Sequence, residues 1–450
     1  LVAPETELEE MMSTFKPSQQ MRRMQIVALL LLVASGIVNY LDRSALSIAN
    51  IVVRQELGLS ATAMGVLLSA FLMSYAFSQL PAGILVDKVG PRILLGAGLV
   101  VWSLAQGAAG FVTSYAQFFA ARIGLGVGES PQFPTGARVV SNWFHVKERG
   151  FPTGIFNAAP SIGTALAPPV LTWLMLAYGW RIMFIVMGAI GLVVAVAWFI
   201  FYRDADQHGT DQDRTYIRSG DTARTSSPVG LKQWVRLFRC RTTWGMIIGN
   251  FGGGYLTWVY YAWLPGFLEI QHHMSIARTG IYAAIPAVFG IAGSLFGGYA
   301  SDLLASRGFT PLNSRKIPII CGLLGTAALT IATAYAASET AVMSYISLAY
   351  LLSGVASASI WALVTAAAPP DYVASSGSIQ NFGGYIGGTC SPIVTGIIVD
   401  MTGSFVLALL IGAGMAVLGA LVYLLVVTNP ISGAELESQF DGMAPRPISR

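Results

Sequence analysis

The sequence predicts an all-α membrane protein with about twelve transmembrane helices in two six-helix, pseudo-symmetric halves. Three observations predict it: charge is scarce, long apolar runs recur, and one loop motif returns in weakened form in the second half. Of the 450 residues 54% are hydrophobic and 11% charged, with a mean hydropathy of +0.63. Soluble domains carry roughly 25% charge, so water is not the principal solvent of this chain. The net charge of +4 is spread over short loops and forms no dense basic face, which excludes a nucleic-acid partner. Cys240, Cys321 and Cys390 lie far apart, with neither a disulfide framework nor a metal-binding CxxC; no metal and no cofactor is expected.

Runs long enough for about 30 Å of hydrocarbon fall at 24–50, 58–86, 93–113, 115–137, 150–179 and 182–202. Six more fall at 242–268, 279–301, 317–338, 341–368, 372–399 and 404–428. The predicted organisation is thus an N-terminal tail (1–23), a six-helix bundle (24–202), a linker (203–241), a second bundle (242–428) and a C-terminal tail (429–450). Arg22 and Arg23 before an apolar stretch also fit a signal peptide, but eleven further runs favour a first membrane helix; Met11 and Met12 are alternative start residues. Lys16, Arg22, Arg23, Lys88, Arg92, Arg138, Lys147, Arg149, the linker's basic residues, Arg307, Arg315, Lys316, Arg446 and Arg450 fall on one side, against Arg54, Arg181 and Arg278 on the other. Because short basic loops stay cytoplasmic, both termini are expected there.

The motif closing the second run is Gly83-x-x-x-Asp87-Lys88-x-Gly90-Pro91-Arg92, and its echo closes the eighth with Gly298, Asp302, Arg307, Gly308, Arg315 and Lys316. A small residue at Gly83 allows close helix approach, Asp87 and Asp302 can accept from a neighbouring helix N-terminus, and the basic residues can pair, giving a conformational latch. A tight turn with topogenic charges would use the same letters.

GILVDKVGPR resembles the signature between helices two and three of the major facilitator superfamily. NYLDRSALSIAN, RIGLGVGESPQFPTGARVVSNWF, KERG, SRKIPIICG and SIQNFGGYIGG further resemble its anion:cation symporter family, the bacterial galactarate and glucarate transporters above all. The resemblance covers residues 24–430. It implies the major facilitator fold and a proton-coupled symporter importing a small sugar-acid anion across the bacterial inner membrane by alternating access; with no HExxH, GxSxG or Walker loop in the sequence, no enzyme activity is expected. Galactarate and D-glucarate are favoured; a hexuronate, hexonate or aromatic acid, or an anion exchanger or drug exporter of the same fold, are the alternatives. Expected partners are the organic anion, protons and the lipid bilayer, with the chain acting as a monomer. Residues 154–163 partly match the fifth-helix motif of drug exporters, and Pro160 stands where some sugar-acid relatives carry Gln.

Four charges interrupt the spans: Asp42 and Arg43 in the first, Arg122 and Glu129 in the fourth, the latter two on nearly one helix face. A charge at the bilayer centre costs about 2.5–3.5 kcal/mol, so each needs a partner or a wet cavity. Two arginines suit a carboxylate-bearing cargo through bidentate bonding, and two acids can take up protons. Mutual neutralisation that merely clamps the bundle is the competing explanation. The resemblance makes Asp42 and Glu129 the protonation sites, and places Tyr40, Tyr75 and Asn381 at the cavity. Asn157, Gln380, Ser359, Trp361 and Tyr261 are further candidates, as polar or aromatic groups inside apolar helices. Gly252, Gly253, Gly254 and Pro265, with Gly383, Gly384, Gly387 and Gly388, suit either bending or close packing. GLGVG at 124–128 lacks the strand and acidic partner of a dinucleotide fingerprint.

Overall fold

The computed structural model describes residues 18–145, 148–204, 213, 216–217, 231–369 and 372–432. Lys16, Lys147, Arg446, Arg450, most of the linker and most of both tails lie outside them. The described residues divide into two compact units, one within Leu1–Thr225 and Pro265–Ala284, the other within Ser226–Leu264 and Ile285–Arg450. One boundary therefore falls inside a helix, at Pro265, which removes a backbone hydrogen bond there.

The first unit runs α1 (Gln19–Ile48), α2 (Asn50–Leu57), α3 (Ala61–Val89), α4 (Pro91–Ala108), α5 (Tyr115–Glu129), α6 (Gln132–Trp143) and α7 (Gly150–Phe201). Next come α8 (Leu231–Arg236) and α9 (Arg241–Gln271), whose last residues join the first unit with α10 (Ile276–Tyr282). The second unit continues with α11 (Ala284–Ser306), α12 (Pro311–Ala334), α13 (Glu339–Ala367), α14 (Val373–Thr402) and α15 (Val406–Leu425). No strand occurs among the described residues. A chain whose backbone bonds all close within its own helices is one of the two solutions lipid permits.

Nine helical stretches among the described residues are long and apolar enough to cross a membrane. One of them, α7, has 52 residues and would far exceed a bilayer if straight. Gly179 breaks it with φ 84° and ψ 160°, so the segments 150–178 and 180–201 are separate helices, as the runs 150–179 and 182–202 predict. The predicted span 115–137 is not one helix: α5 ends at Glu129, and α6 begins only after Ser130 and Pro131. Proline has no N–H to continue the ladder, and the Ser130 hydroxyl turns back to the Val127 carbonyl at 2.8 Å.

Glycine lets the helices touch. A Cβ on Gly126 would collide with the Phe71 carbonyl and the Ser74 hydroxyl of α3, and one on Gly128 would sit 2.6 Å from the Trp102 nitrogen of α4. In the second unit a Cβ on Gly254 of α9 would lie 2.6 Å from the Gly384 carbonyl of α14. Both glycine clusters of the second unit thus sit at close helix contacts, and the helices run unbroken through them.

The loop end of the first unit is closed by Glu56, at the end of α2. Its carboxylate accepts from Trp180 Nε1 at 2.6 Å and from Arg181 Nη2 at 2.8 Å, while Arg181 Nη1 donates to the Val112 carbonyl at 2.7 Å. The Trp180 and Arg181 hydrogen bonds hold the Glu56 pKa below the usual glutamate range.

At the opposite end Ser18 caps α1 and bonds Asp213 through both its N–H, at 3.1 Å, and its hydroxyl, at 3.0 Å. An acidic group at a helix N-terminus is favoured by the helix dipole, and it fastens this point of the linker to the first helix.

Two outcomes test these contacts. Gly254→Ala should lower the melting temperature in detergent by the equivalent of about 1–3 kcal/mol, whereas Gly414→Ala, whose Cβ meets nothing within 4 Å, should be neutral or stabilising. Because the Glu56 pKa is depressed in the fold, its contribution is present above the unfolded-state pKa and lost as pH falls through the folded one. Melting curves of Glu56→Gln should therefore lack that acid-range loss and start lower at neutral pH.

Candidate functional site

The four interrupting charges meet inside the first unit. Asp42 and Arg43 sit two turns before the end of α1; Arg122 lies in α5 and Glu129 is its last residue. All four are buried, Asp42 and Glu129 completely. Arg43 Nε donates to Glu129 Oε2 at 2.7 Å. The charges of Glu129 and Arg122 are those that act on Asp42, and neither Asp42 oxygen has a hydrogen-bond partner among the described residues. A buried carboxylate left in that condition is costly, and such groups in native folds call for a functional explanation.

Aromatic rings complete the site. The Arg43 guanidinium carbon lies 4.6 Å from the ring centre of Tyr40, 4.6 Å from that of Tyr75 and 5.1 Å from that of Phe71. Arg122 lies 5.0 Å from the same Phe71 ring. Tyr75 is buried and accepts a weak 3.4 Å hydrogen bond from Gln79 on its phenol oxygen. Tyr40 is half-buried, pressed by α7 at Gly163, where a Cβ would come within 2.8 Å of the Tyr40 Cβ. Tyr40, Asp42, Arg43, Tyr75, Arg122 and Glu129 are thus brought together. Phe71 was not singled out from the sequence, because one Phe in an apolar run is indistinguishable from packing; its place one helical turn before Tyr75 is the signal that finds it. Asn39, fully buried and lying against Glu129, was also missed.

The break after Glu129 places the acid at a helix end, where unbonded backbone groups gather. It is held by Gln132, the first residue of α6, which donates to Ser35 Oγ of α1 at 2.9 Å. Charged sites in membrane bundles recur at such discontinuous helices.

The remaining candidates are placed differently. Asn157 of α7 is exposed and borders a cavity of about 220 Å³ with Phe133, Ser141, Arg149, Thr153 and Phe156. In the second unit Asn381 is half-buried. Gln380 is buried and spends its amide on the Ile360 carbonyl at 3.0 Å, and Ser359 shares a 3.0 Å hydrogen bond with Ser301. Both therefore join helices of that unit in this conformation. Trp361 is 57% exposed, and Tyr261 packs edge-on against Trp258 at 4.9 Å.

The latch residues lie at the ends of α3 and α4. Gly90 ends α3 at φ 87°, and Pro91 starts α4. Asp87 takes a side chain, not a helix N-terminus, as its partner: Arg138 Nη1 of α6, at 3.6 Å. Arg92 Nη2 donates to the Phe199 carbonyl at 2.8 Å, whereas Lys88 is an exposed residue of the last turn. A Cβ on Gly83 would meet nothing within 4 Å, so close helix approach is not what glycine provides here. In the echo Asp302 pairs with Arg315 at 2.7 Å.

A family model described as Major Facilitator Superfamily matches residues 32–388. The chain is 44% identical over 416 residues to a probable L-galactonate transporter of Escherichia coli (strain K12), covering 92% of each chain. It is 34% identical to a probable galactarate/D-glucarate transporter of Bacillus subtilis (strain 168), covering 92% of this chain and 93% of that one. Among solved structures, a bacterial homolog of the human lysosomal transporter Spinster, inward-facing and unoccupied, superposes with a TM-score of 0.76 at 17% identity, over 91% of this chain and 98% of that one.

Removing one member of the buried ion pair should cost more than removing both. Arg43→Met should lose about 3–5 kcal/mol of stability by leaving Glu129 without its counter-charge, and Arg43→Met with Glu129→Gln should recover most of it, as read by melting in detergent.

Proposed function

The chain belongs to the Major Facilitator Superfamily, and from that premise we propose that it imports a sugar-acid monoanion together with protons by alternating access. It is a multi-pass membrane protein of a transporter family, not an enzyme. The observation that carries the proposal is the buried quartet of two arginines and two acids, whose charges sum to zero when both acids are ionised. A carboxylate entering such a site upsets that balance unless a proton enters with it, and this linkage is the physical basis of coupling. Asp42 and Glu129 are the proton acceptors of the mechanism, and Arg43 and Arg122 receive the cargo's carboxylate, flanked by Tyr40 and Tyr75. With both acids protonated, a monoanion carries net positive charge inward, so the membrane potential helps; a dianion carried with two protons gains nothing from it.

The relative at 44% identity favours a hexonate of the galactonate type, ahead of galactarate or D-glucarate. Twelve crossings complete the reading: α7 counts twice across Gly179, and α9 and the broken pair α5 and α6 join the remaining stretches. Apart from residues 265–284, which group with the first unit, the two units then correspond to two six-helix halves, with both termini and the linker cytoplasmic, and the chain works as a monomer in a bacterial inner membrane. Asp87 with Arg138, Gly90, Lys88 and Arg92, and Asp302 with Arg315, act as the latch of one conformation. Asn381 supplies hydroxyl recognition from α14.

Proteoliposomes containing the protein should accumulate radiolabelled L-galactonate when an inward proton gradient is imposed, and a thermal-shift screen should rank hexonates above aldarates and hexuronates. Asp42→Asn and Glu129→Gln should each lose gradient-driven accumulation by at least about 100-fold while retaining exchange or binding. Undiminished accumulation by both variants would remove the two acids from the coupling role, and uptake indifferent to the gradient would indicate anion exchange.

A further inference from the structure

We infer that Phe71 is a positioning residue that links the two arginines, so that anion capture by one alters how firmly the other holds Glu129. The inference rests on the proposed roles of Arg43, Arg122 and Glu129. One ring serves both guanidiniums, at 5.1 Å from Arg43 and 5.0 Å from Arg122. Both distances fall within the range where a ring's negative face attracts a cation, and burial strengthens that attraction.

The ring cannot easily follow either arginine. Its backbone is fixed on one side by α5, which approaches at Gly126 so closely that a Cβ would strike the Phe71 carbonyl. That carbonyl also accepts the Ser74 hydroxyl at 3.0 Å, and Tyr75, one turn further on, packs against the ring at 5.9 Å between centres. Interiors packed at crystal density respond by discrete rearrangement, not by smooth yielding. A guanidinium drawn towards a carboxylate must therefore leave the ring, whose face then serves the other guanidinium alone. Arg43 is the one bonded to Glu129, so this movement reaches the acid.

The groups facing this arrangement are Tyr40, Asp42 and Arg43 from α1, Tyr75 from α3, and Arg122 and Glu129 from α5. A ring that merely fills space would matter through its volume alone; one that links the arginines matters through its electron-rich face. Replacing Phe71 by a graded series of fluorinated phenylalanines changes the face and hardly the shape. With potassium L-galactonate as the probe, Kd should fall stepwise with each fluorine, by about five- to thirty-fold across the series, because less attraction is given up when a guanidinium leaves the ring. The change of Kd between mildly acidic and mildly alkaline buffer should shrink in parallel, while melting temperatures stay level. Phe71→Tyr should keep both properties of the parent protein, and Phe71→Leu should lose both.

A flat Kd and an unchanged pH response across the fluorinated series would overturn the inference. So would Phe71→Tyr and Phe71→Leu behaving alike. Arg122→Ala separates the two levels of the argument. If it leaves binding of L-galactonate intact, the functional reading fails. If it abolishes binding while the fluorinated series stays flat, only the role of Phe71 fails.

Discussion

The first unit is organised around the 2.7 Å bond between Arg43 and Glu129. Either charge alone would be expelled from an apolar bundle, and together they are tolerated only if the geometry is close and the residual polarity is met by neighbours. That requirement accounts for much of the local sequence. Gly126 and Gly128 bring α3 and α4 against α5, so that Phe71 and Tyr75 reach the arginines. Ser130 and Pro131 end α5 at the acid, and Gln132 ties the following helix back to α1. The two acids share this environment unequally. Glu129 has a direct ionic partner, whereas Asp42 has none of its oxygens bonded among the described residues. In the proposed cycle the two acids accordingly have different work, Glu129 holding an arginine and Asp42 responding to occupancy.

Much of this was legible in the sequence because it is carried by quantities that composition records. Run length against bilayer thickness gave the helices, and four charges in otherwise apolar spans marked the site, since nothing but a partner or water makes them affordable. What stayed hidden depends on partners. Gln380 and Ser359 looked like cavity-lining groups, yet a polar side chain in a membrane helix is equally satisfied by a neighbouring carbonyl or hydroxyl, and here they find Ile360 and Ser301. The break at Pro131 was concealed by apolar residues continuing on both sides, since hydropathy is blind to the missing N–H. Gly83 misled in the opposite direction: the small residue was visible, but the open space around it was not.

The second unit solves the same solvation problem by other means. Its interior contacts include Tyr260 to Thr330 at 2.9 Å, Asn250 to the Gln380 carbonyl at 2.9 Å and Thr326 to the Gly322 carbonyl at 2.7 Å, all between neutral groups. Lys316 is the charged exception, and it caps α15 through the Leu424 and Val427 carbonyls, where the helix dipole favours a cation. Neutral hydrogen bonds of this kind do not change strength between pH 5 and 8, whereas an arrangement built on carboxylates can. The proton coupling proposed above would thereby act in the first unit, with the second held by neutral hydrogen bonds. A coupled transporter gains from that division, because a proton that loosened both units would dissipate its binding energy in disorder, whereas one that alters a single ion pair can shift an equilibrium between two ordered states.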